Sequence, residues 1–284
     1  MSAPFVTRFA PSPSGLLHRG HAFSALTAHE AARAAGGRFI LRIEDIDTVR
    51  CRPEHEAAIY EDLAWLGLAW EEPVRRQSDH LADYDAALAG LRERGLLYRC
   101  FRTRREVLDE IARAPHGPME AFKAGPLSDK EEERLLAEDR PYAWRLSLAQ
   151  ARKAVGGFAH LTFTEEGAGP DGESGLVKAH PELAGDVVLA RKAVGVAYHL
   201  AVVVDDALQG ITHIIRGQDL FEAAHIQRLL QALLGYPEPV YRHHRLLLGP
   251  DGKRFAKRDK AQTLRELRAA GVTPAELRAE LGFD

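Results

Sequence analysis

Cysteine occurs only twice in 284 residues, at Cys51 and Cys100, so no disulfide framework can hold this chain and a reducing compartment, the cytoplasm, is the expected setting. Long apolar runs are missing too: the longest, near 200–204, is cut by Asp205 and Asp206. It falls far short of the ~20 residues that a membrane-spanning helix needs, so a soluble protein with no membrane partner is expected. The opening MSAPFVTRFAPS has neither a basic n-region nor an apolar h-region, and no secretory leader is expected from it. A surplus of one charge is also lacking. Against 38 Lys and Arg stand 41 Asp and Glu, a net charge of -3, so any nucleic-acid partner needs a local basic face rather than bulk charge.

What is present is the composition of an ordinary folded protein, 45% apolar and 28% charged, which excludes collagen-like, disordered and whole-chain coiled-coil classes. The length is about twice that of a typical ~150-residue domain, enough for one large or two modest domains with cores of their own. Charge is unevenly placed. Arginine is dense in 99–105 (RCFRTRR) and basic residues in 242–260, while acid gathers at 131–133, at Glu165 and Glu166, and at Asp205 and Asp206.

The β-prone stretch 6–9 is followed by Pro11, Pro13 and Gly15, which force a turn, and then by an Ala-rich run, 22–35, whose apolar residues keep helical spacing up to Gly36 and Gly37. With a strand at 39–43, this is a β-turn-α-β opening, and it predicts a parallel sheet with a right-handed crossover. Helices are predicted at 55–66 and 83–94. From 98 to 185, Pro, Gly and charge interrupt every short periodic run, including an acidic helix at 128–138; this stretch is expected to be an inserted α+β subdomain. Buried strands are predicted at 187–191, 196–204 and 211–215, then a helix at 220–234 closed by Gly235. Residues 245–248 precede a Gly-Pro-Asp-Gly turn, and small helices are predicted at 261–270 and 273–281, the latter with Thr273 as N-cap and Pro274 at the first turn.

The sharpest local feature lies between the first strand and the first helix: Pro11-Ser12-Pro13-Ser14-Gly15-Leu16-Leu17-His18-Arg19-Gly20-His21. Two imidazoles three residues apart stand where a helix begins, beside a glycine that lets backbone approach a ligand. Imidazole N–H groups and the positive end of a helix both suit phosphate oxygens. Taken alone, a His-x-Gly-His pattern is more often surface or structural histidine than a site, and a metal would need a third ligand that is not nearby.

The run 8–21, with Phe39-Ile40-Leu41-Arg42-Ile43-Glu44-Asp45-Ile46-Asp47-Thr48-Val49-Arg50, resembles the N-terminal signature of class I glutamyl-tRNA synthetases, with 18–21 at the place of their HIGH motif. The likeness continues through 62–68, Tyr198-His199-Leu200-Ala201 up to Asp206, Ile215-Arg216-Gly217-Gln218-Asp219-Leu220, and Asp251-Gly252-Lys253-Arg254-Phe255-Ala256-Lys257-Arg258, which together span nearly the whole chain. The resemblance implies a Rossmann-type α/β nucleotide-binding fold: a first half at 1–97, an acceptor-binding-like insert at 98–185, a second half at 186–245, and a KMSKS-like loop with C-terminal helices at 246–284. No large anticodon-binding part is expected after that loop. This points to the truncated branch of the family, the glutamyl-Q tRNA(Asp) synthetases, in which glutamate is activated with ATP and attached to queuosine in the anticodon of tRNA(Asp). Its partners would be L-glutamate, ATP and tRNA(Asp) carrying queuosine, acted on by a monomer.

Acyl-adenylate formation is won by positioning reactants and neutralising phosphoryl charge, without a protein nucleophile. The resemblance assigns His18, His21 and Lys257 to catalysis, and His18, Gly20, His21, Arg254 and Lys257 to ATP. It assigns Arg8, Phe9, Ala10, Pro11, Ser12, Glu44, Tyr198 and Arg216 to glutamate, with Glu44 taking the ammonium and Arg216 the side-chain carboxylate. Guanidinium forks and one carboxylate are what a ligand with two carboxylates and one ammonium calls for. On spacing alone, Arg42-Ile43-Glu44-Asp45 is more often a strand end with surface ion pairs, and it is the joint motif pattern that reverses this.

The chain departs from the family pattern in places. The loop 254–258 has Arg for the first Lys and Ala for Ser, while Lys257 is kept. Magnesium is expected to arrive with ATP. Zinc is not expected: Cys100 is followed by Arg102 in place of a second cysteine, no cysteine comes later, and His116 and His160 form no ligand pattern with it. The insert would then be held by apolar packing of Phe101, Phe122, Tyr142 and Trp144. Two readings stand for Arg99, Arg102, Arg104 and Arg105, a contact with RNA phosphates or a solvated face, and two for Asp205 and Asp206, a site edge or a strand cap. Competing functions are glutamate transfer to a different acceptor and a catalytically silent RNA-binding paralogue, the altered loop being the best support for the latter.

Overall fold

The computed structural model describes residues 4–103, 106, 125–192, 195–247 and 262–283. β1 (Val6–Phe9) leads through the proline-bearing turn into α1 (Arg19–Ala34), and β2 (Arg38–Ile43) returns parallel to β1, with Val6 opposite Arg38 and Phe9 opposite Leu41. After α2 (Pro53–Trp65), which starts on proline, a third parallel strand, β3 (Glu71–Arg76), lies at the outer edge. Sequence reading misses β3. Its EEPVRR run is exposed or half-buried along its length, so no buried alternation marks it. α3 (Leu81–Glu93) completes this half.

The segment that follows pairs by antiparallel contacts. β4 (Leu97–Cys100), β5 (Ala143–Leu146), β8 (Val188–Arg191) and β9 (Gly195–Val196) form one sheet in that order. Between them lie α4 (Asp129–Ala137), capped by Ser128, and α5 (Leu148–Ala154), and then the hairpin of β6 (Thr162–Glu165) and β7 (Gly175–Lys178). Phe101, Tyr142 and Trp144 pack in series, the first pair tilted and the second edge-to-face, at 5.5 Å and 5.7 Å between ring centres. Arg99 lies 4.6 Å above Trp144 and pairs with Glu132. This arginine of the basic cluster is thus built into the packing of the insert; Arg102 is exposed, and Arg104, Arg105, His116 and Phe122 lie outside the described residues.

The parallel pattern resumes with α6 (Tyr198–Leu208), β10 (His213–Gly217), α7 (Phe221–Leu234) and β11 (Val240–His244), the two strands pairing from His213 opposite Val240 to Gly217 opposite His244. Gly235 closes α7 at φ +69°, a left-handed conformation that glycine adopts without penalty. The strand expected at 196–204 is therefore corrected: only Val196 ends a strand, and 198–208 is helix. The cause is burial. Every residue from Leu200 to Asp206 is buried, so no polar face discloses the helical period, and an apolar run of this length fits a buried strand equally well.

The two parallel half-sheets abut along β1 and β10, where the Thr212 N–H donates to the Val6 carbonyl at 3.0 Å and the Val6 N–H to Thr212 Oγ1 at 2.8 Å. Alternate residues feed opposite faces. Phe39, Leu41, Ile43 and Ile215 pack with α1, α2 and the C-terminal helices α8 (Leu264–Ala269) and α9 (Pro274–Leu281), while Ile40 and Ile214 pack with α3, α6 and α7. A parallel sheet covered on both faces by helices is the Rossmann-type α/β arrangement. No described helix is long and apolar enough to cross a membrane.

Candidate active site

In open α/β sheets, ligands bind outside the carboxyl ends of the strands, where two neighbouring strands send their connections to opposite sides. A cleft of about 550 Å³ opens at that place, between the ends of β1 and β10 and against the first turn of α1. Arg8, Phe9, Ala10, Pro11, Ser12, His18, Gly20, His21, Glu44, Tyr198 and Arg216 all line it. Arg254 and Lys257 lie outside the described residues. Sequence reading missed the stretch His244, Arg245, Leu246 and Leu247, which runs off the end of β11 along the cleft wall.

The two histidines owe their pose to the helix they start. His18 is the N-cap of α1, and its Nδ1 accepts from the Gly20 N–H at 3.1 Å; His21 Nδ1 accepts from the His18 N–H at 3.2 Å, an imidazole version of the capping box. The rings lie 3.9 Å apart. Since each Nδ1 is an acceptor, each ring carries its proton on Nε2 and presents a donor suited to a phosphate oxygen. Glycine at 20 leaves the ring its pose, because a Cβ there would stand 3.0 Å from His18 Cε1 and the imidazole would have to give way by a few tenths of an ångström.

Under the cleft lies a network that joins the two half-sheets. Arg8 makes a forked contact to Asp206, Nε to Oδ1 at 3.0 Å and Nη2 to Oδ2 at 3.3 Å. Fully buried Arg42 donates to Asp206 at 2.8 Å, to Gln209 at 2.9 Å and to Glu44 at 3.1 Å. Asp205, its Oδ2 3.6 Å from Arg42 Nε, accepts from Arg75 at 2.7 Å, Gln77 at 2.8 Å and Tyr84 at 2.9 Å. Burial by itself would raise the Asp206 carboxyl, but Arg8 and Arg42 hold it below the ordinary range. For Glu44, burial wins over Arg42 and Arg8 and pushes the carboxyl up. The acidic pair thus neither caps a strand nor lines the cleft; Asp206 anchors the cleft-lining Arg8 from beneath, and Asp205 ties α6 to β3 and α3.

Arg216 is held at three nitrogens: Nε donates to His243 Nε2 at 3.0 Å, Nη1 to Gln227 Oε1 at 2.8 Å and Nη2 to the Leu220 carbonyl at 3.0 Å. Burial pushes the Tyr198 phenol up despite neighbouring Arg216, so it stays a neutral hydrogen-bonding group. The floor of the cleft therefore offers two guanidinium groups and one carboxylate, opposite two imidazole donors and a helix N-terminus. That is a complement for an amino dicarboxylate beside a polyphosphate. Cys51 sits behind this wall, its Sγ 3.5 Å from Ser12 Oγ. Among the described residues, no cluster of three or more His, Cys, Asp or Glu side chains converges as a metal site. Cys100 is buried in β4.

The model of the tRNA synthetases class I (E and Q) catalytic domain matches residues 4–282 of this chain. A protein of Rhodobacter capsulatus named glutamyl-Q tRNA(Asp) synthetase is 48% identical, the match covering 98% of this chain and 100% of that one. One of the same name from Symbiobacterium thermophilum is 44% identical over 97% of this chain and 85% of its own length. Among solved structures, a glutamate tRNA ligase of Elizabethkingia meningosepticum, crystallised in complex with its amino acid, superposes with a TM-score of 0.73 at 30% identity. That match covers 90% of this chain and 52% of the ligase, so the present chain spans about half the length of that protein.

Proposed function

The chain belongs to the class I tRNA synthetases (E and Q), and from that premise we propose that it activates L-glutamate with ATP and transfers it to queuosine in tRNA(Asp). The observation that carries the amino-acid half of this reading is the convergence of Arg8, Arg216 and Glu44 in one cleft with His18 and His21. The acceptor rests on the names of the relatives that match over nearly their full length.

In the proposed reaction an oxygen of the glutamate α-carboxylate attacks the α-phosphorus of ATP, the bond to the bridging oxygen breaks, and pyrophosphate leaves. Glutamyl-adenylate remains. An acceptor hydroxyl then attacks the acyl carbon, passes its proton to solvent, and releases AMP, leaving an ester. Neither step needs a protein nucleophile; both need placement and neutralised charge. Arg216 pairs with the side-chain carboxylate, Glu44 with the ammonium, and Arg8 with Tyr198 and Ser12 borders the reacting carboxylate. His18 and His21 donate Nε2–H to phosphate oxygens at the α1 N-terminus, and Arg254 and Lys257, which follow β11 in the sequence, are assigned to the same phosphates by their motif. Magnesium enters bound to ATP, which suits an ion held chiefly by substrate phosphates and water. Residues 98–185 supply the surface that meets the acceptor RNA.

Glutamate-dependent ATP–pyrophosphate exchange, with aspartate and glutamine as competitors, tests the first half. Exchange with glutamate alone, followed by AMP release and alkali-labile glutamylation only when tRNA(Asp) carries queuosine, is the expected result. No exchange with any of the three amino acids, with or without that tRNA, would sink the reading.

A pH dependence follows from Glu44. Its carboxyl is pushed up by burial, and only its ionised form pairs with an ammonium, so KM for glutamate is expected to rise as pH falls through that raised value, by up to about tenfold per pH unit below it. KM for ATP serves as the internal control. Glu44→Gln should start from a high KM with a flat profile; a wild-type glutamate KM that is constant from neutral pH down to the ordinary carboxylate range contradicts the assignment.

A further inference from the structure

Beneath Arg216 lies a buried pair that the reaction as described does not use. Glu165, at the end of β6, and His243, in β11, are both fully buried, with Glu165 Oε2 2.5 Å from His243 Nδ1. The other carboxylate oxygen, Oε1, accepts from the backbone N–H of His243 at 2.8 Å and of Gly167 at 2.8 Å. The chain closes tightly over this carboxylate: a Cβ at Gly167 would fall 2.2 Å from the His243 carbonyl and 2.9 Å from Glu165 Oε1. On the far side of the imidazole, Nε2 accepts from Arg216 Nε at 3.0 Å.

We propose that Glu165 and His243 are positioning residues: Glu165 holds His243 as its Nδ1–H tautomer, and the Nε2 lone pair so exposed fixes the Arg216 guanidinium for the side-chain carboxylate of glutamate. This rests on the role given to Arg216 above. The geometry allows one polarity. Arg216 Nε is only a donor, so Nε2 must be an acceptor and the imidazole proton must sit on Nδ1, facing the carboxylate. Burial disfavours the imidazolium form against the pull of Glu165, and a protonated Nε2 would point its N–H at that of Arg216. Of the five guanidinium N–H groups, three are committed to His243, Gln227 and Leu220, and two remain to meet the two oxygens of a carboxylate. The relay also ties the insert to the site, since β6 meets β11 at Glu165 opposite Tyr241.

Glu165→Gln probes the tautomer directly. A glutamine keeps both backbone N–H partners by turning its oxygen toward them, which turns its amide N–H₂ toward Nδ1 and forces the imidazole proton onto Nε2. Side-chain ¹⁵N NMR of histidine-labelled protein should place the His243 proton on Nδ1 in the wild type and on Nε2 in the variant. In exchange assays, Glu165→Gln and His243→Asn should each raise KM for glutamate about tenfold or more, with kcat and KM for ATP within about twofold. His243→Gln, whose amide oxygen can stand near the Nε2 position, should recover part of that loss; a merely structural role predicts no such order.

A wild-type proton on Nε2 overturns the relay and needs no variant to fold. Unchanged glutamate KM in Glu165→Gln and His243→Asn, while Arg216→Ala raises it, overturns the relay alone. If Arg216→Ala leaves glutamate KM unchanged, the assignment of Arg216 falls and takes the relay's function with it. Absence of wild-type exchange defeats the activity itself. The four outcomes are distinguishable.

Discussion

Asp206→Ala is expected to lower unfolding free energy by about 3–5 kcal/mol, because it takes the paired carboxylate from buried Arg8 and the nearest of three from buried Arg42, which keeps Glu44 at 3.1 Å and Asp205 at 3.6 Å. Arg8 loses both of its contacts to that carboxylate, at 3.0 Å and 3.3 Å, and Arg42, which has no exposure to solvent, loses its 2.8 Å partner. The penalty is that of stranding the charges; the intact network by itself is weak evidence for net stability, since all of its members were desolvated to form it. Urea unfolding followed by circular dichroism reads the loss as a fall in midpoint at unchanged slope. Asp206→Asn, which keeps the shape and one acceptor, should fall between wild type and alanine. The sign of the pH dependence is set by the depressed carboxyl: its contribution is complete above the unfolded-state value near ~4 and is lost as pH drops through the folded-state value, so wild type and variant should converge in acid. A loss below about 1 kcal/mol at neutral pH would mean that the network is not desolvated as described.

The second large effect concerns chemistry with little change in fold. Asparagine is a good N-cap, so His18→Asn should leave α1 and overall stability nearly intact while removing the Nε2 donor. We expect kcat for exchange to fall about 10²–10³-fold, the usual consequence of deleting one donor aimed at developing charge, with glutamate KM little changed. His21→Ala should behave alike in kcat, with a modest stability loss from the broken capping box. A kcat within threefold of wild type in both variants would remove the histidines from catalysis and leave the helix N-terminus as the sole phosphate-binding element.

Both effects depend on residues that differ in how visible they are along the chain. His18, Gly20 and His21 fall within one turn, so their cluster, their place at a helix start and their suitability for phosphate are all legible from local order. Arg8, Glu44, Tyr198 and Arg216 are legible only as members of ordered motifs, and the cleft then brings them together. The Arg42 to Asp206 pair is not legible, since 164 positions separate its partners and each has a plausible local use. Nothing in the linear order sets these charges against each other. Glu165 and His243 stand 78 positions apart for the same reason, and the acid beside Glu166 looks like surface charge until β6 is set against β11.

Taken alone, then, the sequence determined the β-turn-α-β opening, the helix start that carries the two imidazoles, the lack of disulfides and of an apolar span, and the motif order that marks the family. These are local or composition-bound properties, written in spacing, capping and turn chemistry. Only the tertiary structure decided that 198–208 is helix, that EEPVRR is a sheet edge, and that Asp206 and the Glu165–His243 pair stand behind the cleft arginines. Burial is the physical reason. Where every side of an element is covered, periodicity disappears, and where charges are removed from water their partners are chosen by proximity across the fold.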